Sequence, residues 1–111
     1  MKYLKLLLIL NIALSQKIII PMDRIQNDHL KAYGIAYFSI SKGHNVEWLL
    51  NYRGGSFLID NIQSIKSECK VRGITFENIN SSELLNIYSI IEENNMDIVL
   101  LEKKPKIAIY T

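Results

Sequence analysis

A polar, glycine-containing turn between two apolar, strand-like runs constrains the fold of this chain more than any other feature. Residues 46–51 and 57–59 have the composition of strands, and the sequence NYRGGS, residues 51–56, joins them. Gly54 and Gly55 permit a sharp chain reversal or a close approach of the backbone to a ligand. The turn is therefore predicted either to close a β-hairpin or to contact a ligand at the end of a strand.

The first fifteen residues have the pattern of a secretory signal peptide. Lys2 and Lys5 give a basic start, an apolar run follows, and Ala13 to Ser15 supply the small residues that signal peptidase selects. The run is too short for a membrane-spanning helix, which needs about 20 apolar residues. Residues 1–15 are therefore predicted to be cleaved, leaving an exported protein, periplasmic or extracellular, with no stable membrane anchor.

The mature chain has no excess of positive charge. The full sequence holds 13 Lys and Arg against 11 Asp and Glu, and two of the lysines belong to the signal peptide. The remaining balance predicts no nucleic-acid partner. Cys69 is the only cysteine, and His29 and His44 lack a metal-ligand spacing, so we expect no disulfide, no metal and no cofactor.

Strand-like and helix-like segments alternate after the signal peptide. A short strand at residues 17–20 precedes Asp23 and Gln26, whose spacing is that of a capping box for a first helix. Gly43 is predicted to end this helix. Its apolar positions are expected to face the core: Ile25, Leu30, Tyr33, Tyr37 and Ile40.

Two further helices are predicted, at residues 61–72 with Gly73 as the stop, and after Asn80, where Glu83 completes a second capping box. The last helix has a clear apolar stripe, formed by Leu84, Ile87, Tyr88 and Ile91. A strand is expected at residues 74–79, and residues 96–101 are either a strand or an apolar linker.

Alternating strands and helices are typical of an α/β fold with a mainly parallel sheet. We assign residues 16–104 to one small layered α/β module. Residues 105–111 are predicted to be the first strand of a following α/β region, which makes the module incomplete at its C-terminus. The alternative is a complete protein whose last strand inserts between earlier ones.

The candidate ligand-binding residues lie at predicted strand ends. The carboxyl ends of parallel strands line the ligand crevice of α/β proteins, and an arginine there can bind a small carboxylate or phosphate ligand. Asp23 follows a strand as well, although its capping-box spacing also makes it a helix cap. The predicted set is Asn51, Arg53, Gly54, Gly55, Ser56 and Asp23, with no catalytic residue and no metal ligand.

Four stretches of this chain resemble the opening portion of a group of exported bacterial proteins labelled asparagine synthetase B. They are residues 20–23, 29–34, 48–57 and 105–110, and the most specific is WLLNYRGGSF. The resemblance implies the N-terminal part of a larger exported protein, whose downstream domain would be a partner. It identifies no catalytic residues on this chain.

Two classes of function follow. The first is a non-catalytic ligand-binding or scaffolding module, because no nucleophile stands near a base in the sequence. The second is a contributing part of an amidotransferase or hydrolase whose catalytic residues lie downstream of residue 111.

Overall fold

A computed structural model describes residues 16–103 of the chain. The predicted signal peptide, residues 1–15, and the predicted final strand, residues 105–111, lie outside the described residues. The elements, in chain order, are β1 (Lys17–Ile20), α1 (His29–Ser41), β2 (Val46–Leu49), β3 (Ser56–Asp60), α2 (Gln63–Arg72), β4 (Glu77–Ile79), α3 (Ser81–Glu93) and β5 (Ile98–Leu101).

The five strands form one sheet in the order β4-β1-β3-β2-β5, and every neighbouring pair is antiparallel. The first six elements have the β-α-β-β-α-β order of the split βαβ, or ferredoxin-like, arrangement. In this chain α3 and β5 are added to that arrangement. Since this topology carries many unrelated functions, it does not by itself assign one.

The prediction of a mainly parallel sheet was wrong. Each crossover helix does join two strands that run the same way, since β1 and β2 are both antiparallel to β3. The reason for the error is that another strand separates each such pair: β3 lies between β1 and β2, and β1 lies between β3 and β4. The β2–β3 turn is a hairpin, so β3 runs back antiparallel to β2 and lies between β2 and β1. Alternating strands and helices therefore give an antiparallel sheet in this chain.

Helices pack against both faces of the sheet. One face packs against α1 and α2 through Ile18, Ile20, Val46, Phe57 and Ile59, all buried. The other packs against α3 through a smaller cluster that includes Ile19, Leu49 and Leu58. A fully buried aliphatic side chain contributes about 1.5–3 kcal/mol, and β1 and β3 place such side chains on both faces of the sheet.

The first helix begins later than predicted and turns a different face to the core. Asp28, not Asp23, is its N-cap, and the Asp28 carboxylate accepts from the Lys31 amide. The buried positions are small or aliphatic: Ala32, Ile35, Ala36 and Ser39. Of the residues predicted to face inward, Leu30 and Tyr37 are 80% and 74% exposed, and Ile25 and Tyr33 are also exposed.

Gln26 does not form the predicted capping box with Asp23. Its side chain instead links two segments of the chain. Its buried amide group donates to the carbonyls of Pro21 and Thr75 and accepts from the Thr75 amide. These bonds join the β1–α1 loop to the segment before β4. They also explain why β4 is shorter than the strand predicted at residues 74–79.

The other two helices follow their predicted signals. Gly73, in the left-handed conformation, caps α2, and Cys69 is buried as a small apolar residue. Asn80 and Glu83 form the predicted capping box of α3. Among the described residues, no helix is long and apolar enough to cross a membrane.

Candidate functional site

Arg53 lies at the centre of an ion-pair cluster that we define as Asp23, Arg53 and Glu77. The Arg53 Nε donates to Asp23 at 3.0 Å, and its two terminal nitrogens donate to the two Glu77 oxygens at 2.9 and 3.2 Å. The two carboxylates come from the β1–α1 loop and from β4, so the guanidinium joins three separate segments. Such two-point arginine–carboxylate pairs are among the stronger charge-assisted hydrogen bonds.

The hydrogen bonds of the cluster shift the pKa values of Asp23 and Arg53. The hydrogen bond from Arg53 lowers the pKa of Asp23, against a smaller opposing effect of burial. The hydrogen bonds to Glu77 and Asp23 raise the pKa of Arg53 further above its ordinary value. Counted by residue type, the cluster holds one basic and two acidic side chains, a formal balance of −1.

The turn that carries Arg53 is built against the end of β1. Arg53 itself has φ 49°, a left-handed conformation that is uncommon for residues other than glycine. Its carbonyl accepts from the Met22 amide at 3.0 Å. A Cβ on Gly54, at φ +78°, would lie 2.5 Å from the Met22 carbonyl oxygen. The close backbone approach expected at Gly54 is thus made to the chain itself.

The remaining turn residues have structural partners. Gly55 and Ser56 are buried; the Gly55 carbonyl accepts from the Trp48 indole, and the Ser56 hydroxyl donates to the Tyr52 carbonyl. Asn51 is exposed at the other end of the turn, where its side chain accepts from the Asp97 amide at 3.4 Å. Of the six predicted site residues, the structure brings Asp23, Arg53 and Gly54 together, and it does not bring Asn51 to them.

A pocket of about 190 Å³ lies beside the cluster on the α3 face of the sheet. Arg53, Glu77, Glu83 and Asn86 supply its polar groups, and its apolar wall includes Ile87. Asp23 and Glu77 take three of the five N–H donors of Arg53, so an anion would find the other two beside two carboxylates. The anion contact predicted for Arg53 remains a prediction.

On the opposite face of the sheet, α1 and the strands border an apolar groove of about 190 Å³. Its lining consists of Tyr33, Ala36, Tyr37, Ile40, Trp48, Phe57 and Leu101. The aromatic rings are ordered against one another: Tyr33 meets Phe57 edge-on with centroids 5.6 Å apart, and Trp48 stacks on Phe57 at 5.9 Å. The indole nitrogen is already bonded to Gly55, which holds Trp48 in place along the groove.

The groove continues along an exposed apolar stripe on α1. Leu30, Tyr33 and Tyr37 follow a spacing of three and four residues, so they share one face of the helix. Their exposed fractions are 80%, 50% and 74%. A contiguous apolar surface of this kind, rimmed by polar residues, is typical of an interaction site.

Four potential nucleophiles among the described residues, Cys69, Ser39, Ser56 and Tyr88, are protonated or hydrogen-bonded within the fold. Burial raises the pKa of the Cys69 thiol to about 11, which keeps it protonated at neutral pH. The hydroxyls of Ser39 and Ser56 donate to main-chain carbonyls, not to a base. Burial and the hydrogen bond to Glu47 raise the pKa of Tyr88. No group of acidic, histidine or cysteine side chains within residues 16–103 could hold a metal ion.

Sequence reasoning missed the partner of Arg53 and the groove. Glu77 gave no local signal, since it pairs with Arg53 only through the β1–β4 contact. The aromatic residues of α1 were assigned to the core because their spacing is helical. The sequence did contain a signal for the correct inward face of α1: Ala32 and Ala36 are small residues, which allow a helix to approach a sheet closely.

Comparison with protein-family models, curated proteins and solved structures gives no match to this chain.

Proposed function

We propose that this chain is a non-catalytic binding or scaffolding module, and that its apolar groove docks an apolar segment of a protein partner. The observation that carries the proposal is the exposed pair Tyr33 and Tyr37 beside Trp48. The partner class is a protein surface or peptide that presents an aliphatic or aromatic side chain.

The chemistry of the groove supports a protein partner. Tyr and Trp offer large, rigid apolar surfaces together with a polar group at the edge, and they dominate the binding energy of protein interfaces. The groove has a prearranged wall, because Phe57 is buried and contacts both Tyr33 and Trp48. Little ordering of these rings is needed on binding, which lowers the entropic cost of association.

The ion-pair cluster supports a structural role more than a binding role. Arg53, on the β2–β3 turn, donates to Asp23 of the β1–α1 loop and to Glu77 of β4. This makes the groove the better candidate for the binding surface. The small-anion contact at Arg53, export, and the resemblance to the asparagine synthetase B group remain predictions. So does the alternative of an amidotransferase or hydrolase with its catalytic residues downstream.

Trp48, the only tryptophan, provides a built-in probe of the groove. Random twelve-residue peptides displayed on phage are selected against the full chain, and enriched peptides are synthesised and titrated while Trp48 emission is followed. We expect enriched peptides to carry one or two large apolar residues. Tyr37→Ala should weaken their binding at least about fivefold, because Tyr37 supplies exposed contact surface.

The matched control is Leu85→Ala, which removes an apolar side chain that is 67% exposed on α3, away from the groove. Peptides that bind wild type, Tyr37→Ala and Leu85→Ala equally would contradict the groove as the binding surface. A parallel titration with inorganic phosphate and acetate tests the anion alternative. A thermal shift that occurs with these anions in wild type and disappears in Arg53→Ala would favour the ion-pair cluster instead.

A further inference from the structure

The two edges of the sheet differ in how they are protected from pairing with another strand. Among the strands that the structure describes, β4 and β5 are the outermost. β4 has only three residues, and its Glu77 is paired with Arg53. β5 is apolar throughout, and its Ile98, Val99 and Leu100 are 39%, 39% and 52% exposed. Short or charged edge strands resist pairing with another chain, whereas an exposed apolar edge is a template for it.

The hydrogen-bond pattern shows which backbone groups of β5 point away from the sheet. The Leu50 amide donates to the Asp97 carbonyl, so these two residues form a hydrogen-bonded pair. Such pairs alternate with non-hydrogen-bonded pairs along an antiparallel ladder, so Val99 bonds to β2. The amides and carbonyls of Ile98 and Leu100 consequently point to the outer edge of β5, where they can bond to a further strand.

We propose that β5 pairs antiparallel with the β5 of a second copy of this chain, with the two-fold axis at Leu100. A two-fold dimer uses the same surface on both copies, so that surface must be complementary to itself. The pairing joins the two sheets and covers the apolar edge of each copy. The proposal goes beyond the docking of a peptide in the groove and does not depend on it.

The charges at the two ends of β5 are complementary in this arrangement. Asp97 lies directly before the strand and Lys103 two positions after it, and both are exposed. Within residues 16–103, neither side chain forms an ion pair. In an antiparallel pair centred on Leu100, β5 continues as far as Lys103, and each Asp97 faces Lys103 of the other copy. Opposite charges at directly facing positions stabilise a sheet, and this dimer contains the pair at both ends.

The apolar side chains fit the same register. Val99 lies opposite Leu101 of the second copy, and Leu100 lies opposite its own counterpart, so aliphatic side chains meet across the two-fold axis. A register centred on Val99 instead places Asp97 opposite Leu101. It also makes Asn95 the counterpart of residue 103, although the φ of Asn95, 53°, is not that of a strand. Charge and backbone conformation therefore both favour the register centred on Leu100.

Sedimentation velocity of the full chain, from micromolar to millimolar concentration, tests the proposal. We expect a reversible dimer. Leu100→Lys should raise its Kd at least about tenfold, because the change removes the apolar contact on the axis and places two like charges opposite each other. Leu100 is 52% exposed, so the fold should persist. The matched control is Leu85→Lys, which places the same charge at a position on α3 that is 67% exposed, and it should keep the wild-type Kd.

Exchange of the end charges tests the register. Asp97→Lys and Lys103→Asp should each raise the Kd at least about threefold, because each brings like charges together at both ends of the pairing. The double variant restores opposite charges and should return the Kd to within about twofold of wild type. Monomers at every concentration, a wild-type Kd in Leu100→Lys, or no recovery in the double variant would overturn the proposal. Loss of the dimer in Tyr37→Ala but not in Leu100→Lys would overturn it in favour of a dimer formed through the groove.

Discussion

The ion-pair cluster and the apolar groove lie on opposite faces of the same sheet and differ in how their side chains are satisfied. In the cluster, Arg53 is bonded to Asp23 and Glu77. In the groove, Tyr33 and Tyr37 leave half or more of their surface in water. Arg53, the charged residue predicted to bind a ligand, thus pairs with carboxylates of the fold itself. Tyr33 and Tyr37, which were predicted to lie in the core, are accessible to a partner.

This difference separates stability from binding. Changes at the cluster and its turn are expected to alter the free energy of unfolding, because they break contacts between segments of the fold. Changes at the groove are expected to alter binding and to leave unfolding almost unaffected. The following experiments test that separation, from the largest expected effect on stability to the smallest.

Gly54→Ala should destabilise the protein by about 2–4 kcal/mol, since a Cβ would collide with the Met22 backbone and alanine would be held at positive φ. Urea denaturation of the full chain measures the loss. The matched control is Gly43→Ala, which has φ +90° and no atom within 4 Å of its added Cβ. It should cost only about 1 kcal/mol, and equal losses in the two variants would show that the contact with Met22 is unimportant.

Arg53→Ala should cost about 1–2 kcal/mol, because it leaves Asp23 and Glu77 without their shared cation in a partly exposed site. Arg24→Ala removes a neighbouring exposed arginine and should stay within about 0.5 kcal/mol of wild type. If both variants unfold at the same urea concentration as wild type, the cluster has no stabilising role.

The cluster should also make stability depend on acid pH. The pKa of Asp23 is lower in the folded protein than in the unfolded chain, so its contribution is complete above the unfolded value, near pH 4. It is lost as the pH falls through the folded value. Between about pH 5 and 2.5, wild type should lose more stability than Asp23→Asn, by less than about 1 kcal/mol. Parallel urea midpoints for both proteins across this range would contradict the assignment.

Tyr37→Ala should change the free energy of unfolding by less than about 0.5 kcal/mol, since the side chain is 74% exposed. The same variant is expected to lose peptide binding. Urea denaturation and the Trp48 titration, performed on one preparation, measure both quantities. A large loss of stability would place Tyr37 in the core, as its helical spacing suggested, and would remove the contrast between the two regions.

Local signals in the sequence predicted the elements that depend on neighbouring residues. The Asn80–Glu83 capping box and the Gly73 stop were confirmed. These features involve residues within a few positions of one another, so the pattern of residue types carries them. The hairpin at Gly54 and Gly55, one of the two interpretations of that turn, belongs to the same class.

Only the tertiary structure decided the strand order, the exposed face of α1 and the partners of Arg53. Strand order depends on which strand lies between two others, and alternating elements are compatible with both parallel and split arrangements. The inward face of α1 was decided by how closely Ala32 and Ala36 allow the helix to approach the sheet. The pairing of Arg53 with Glu77 joins residues 24 positions apart through the sheet, so no local pattern could predict it.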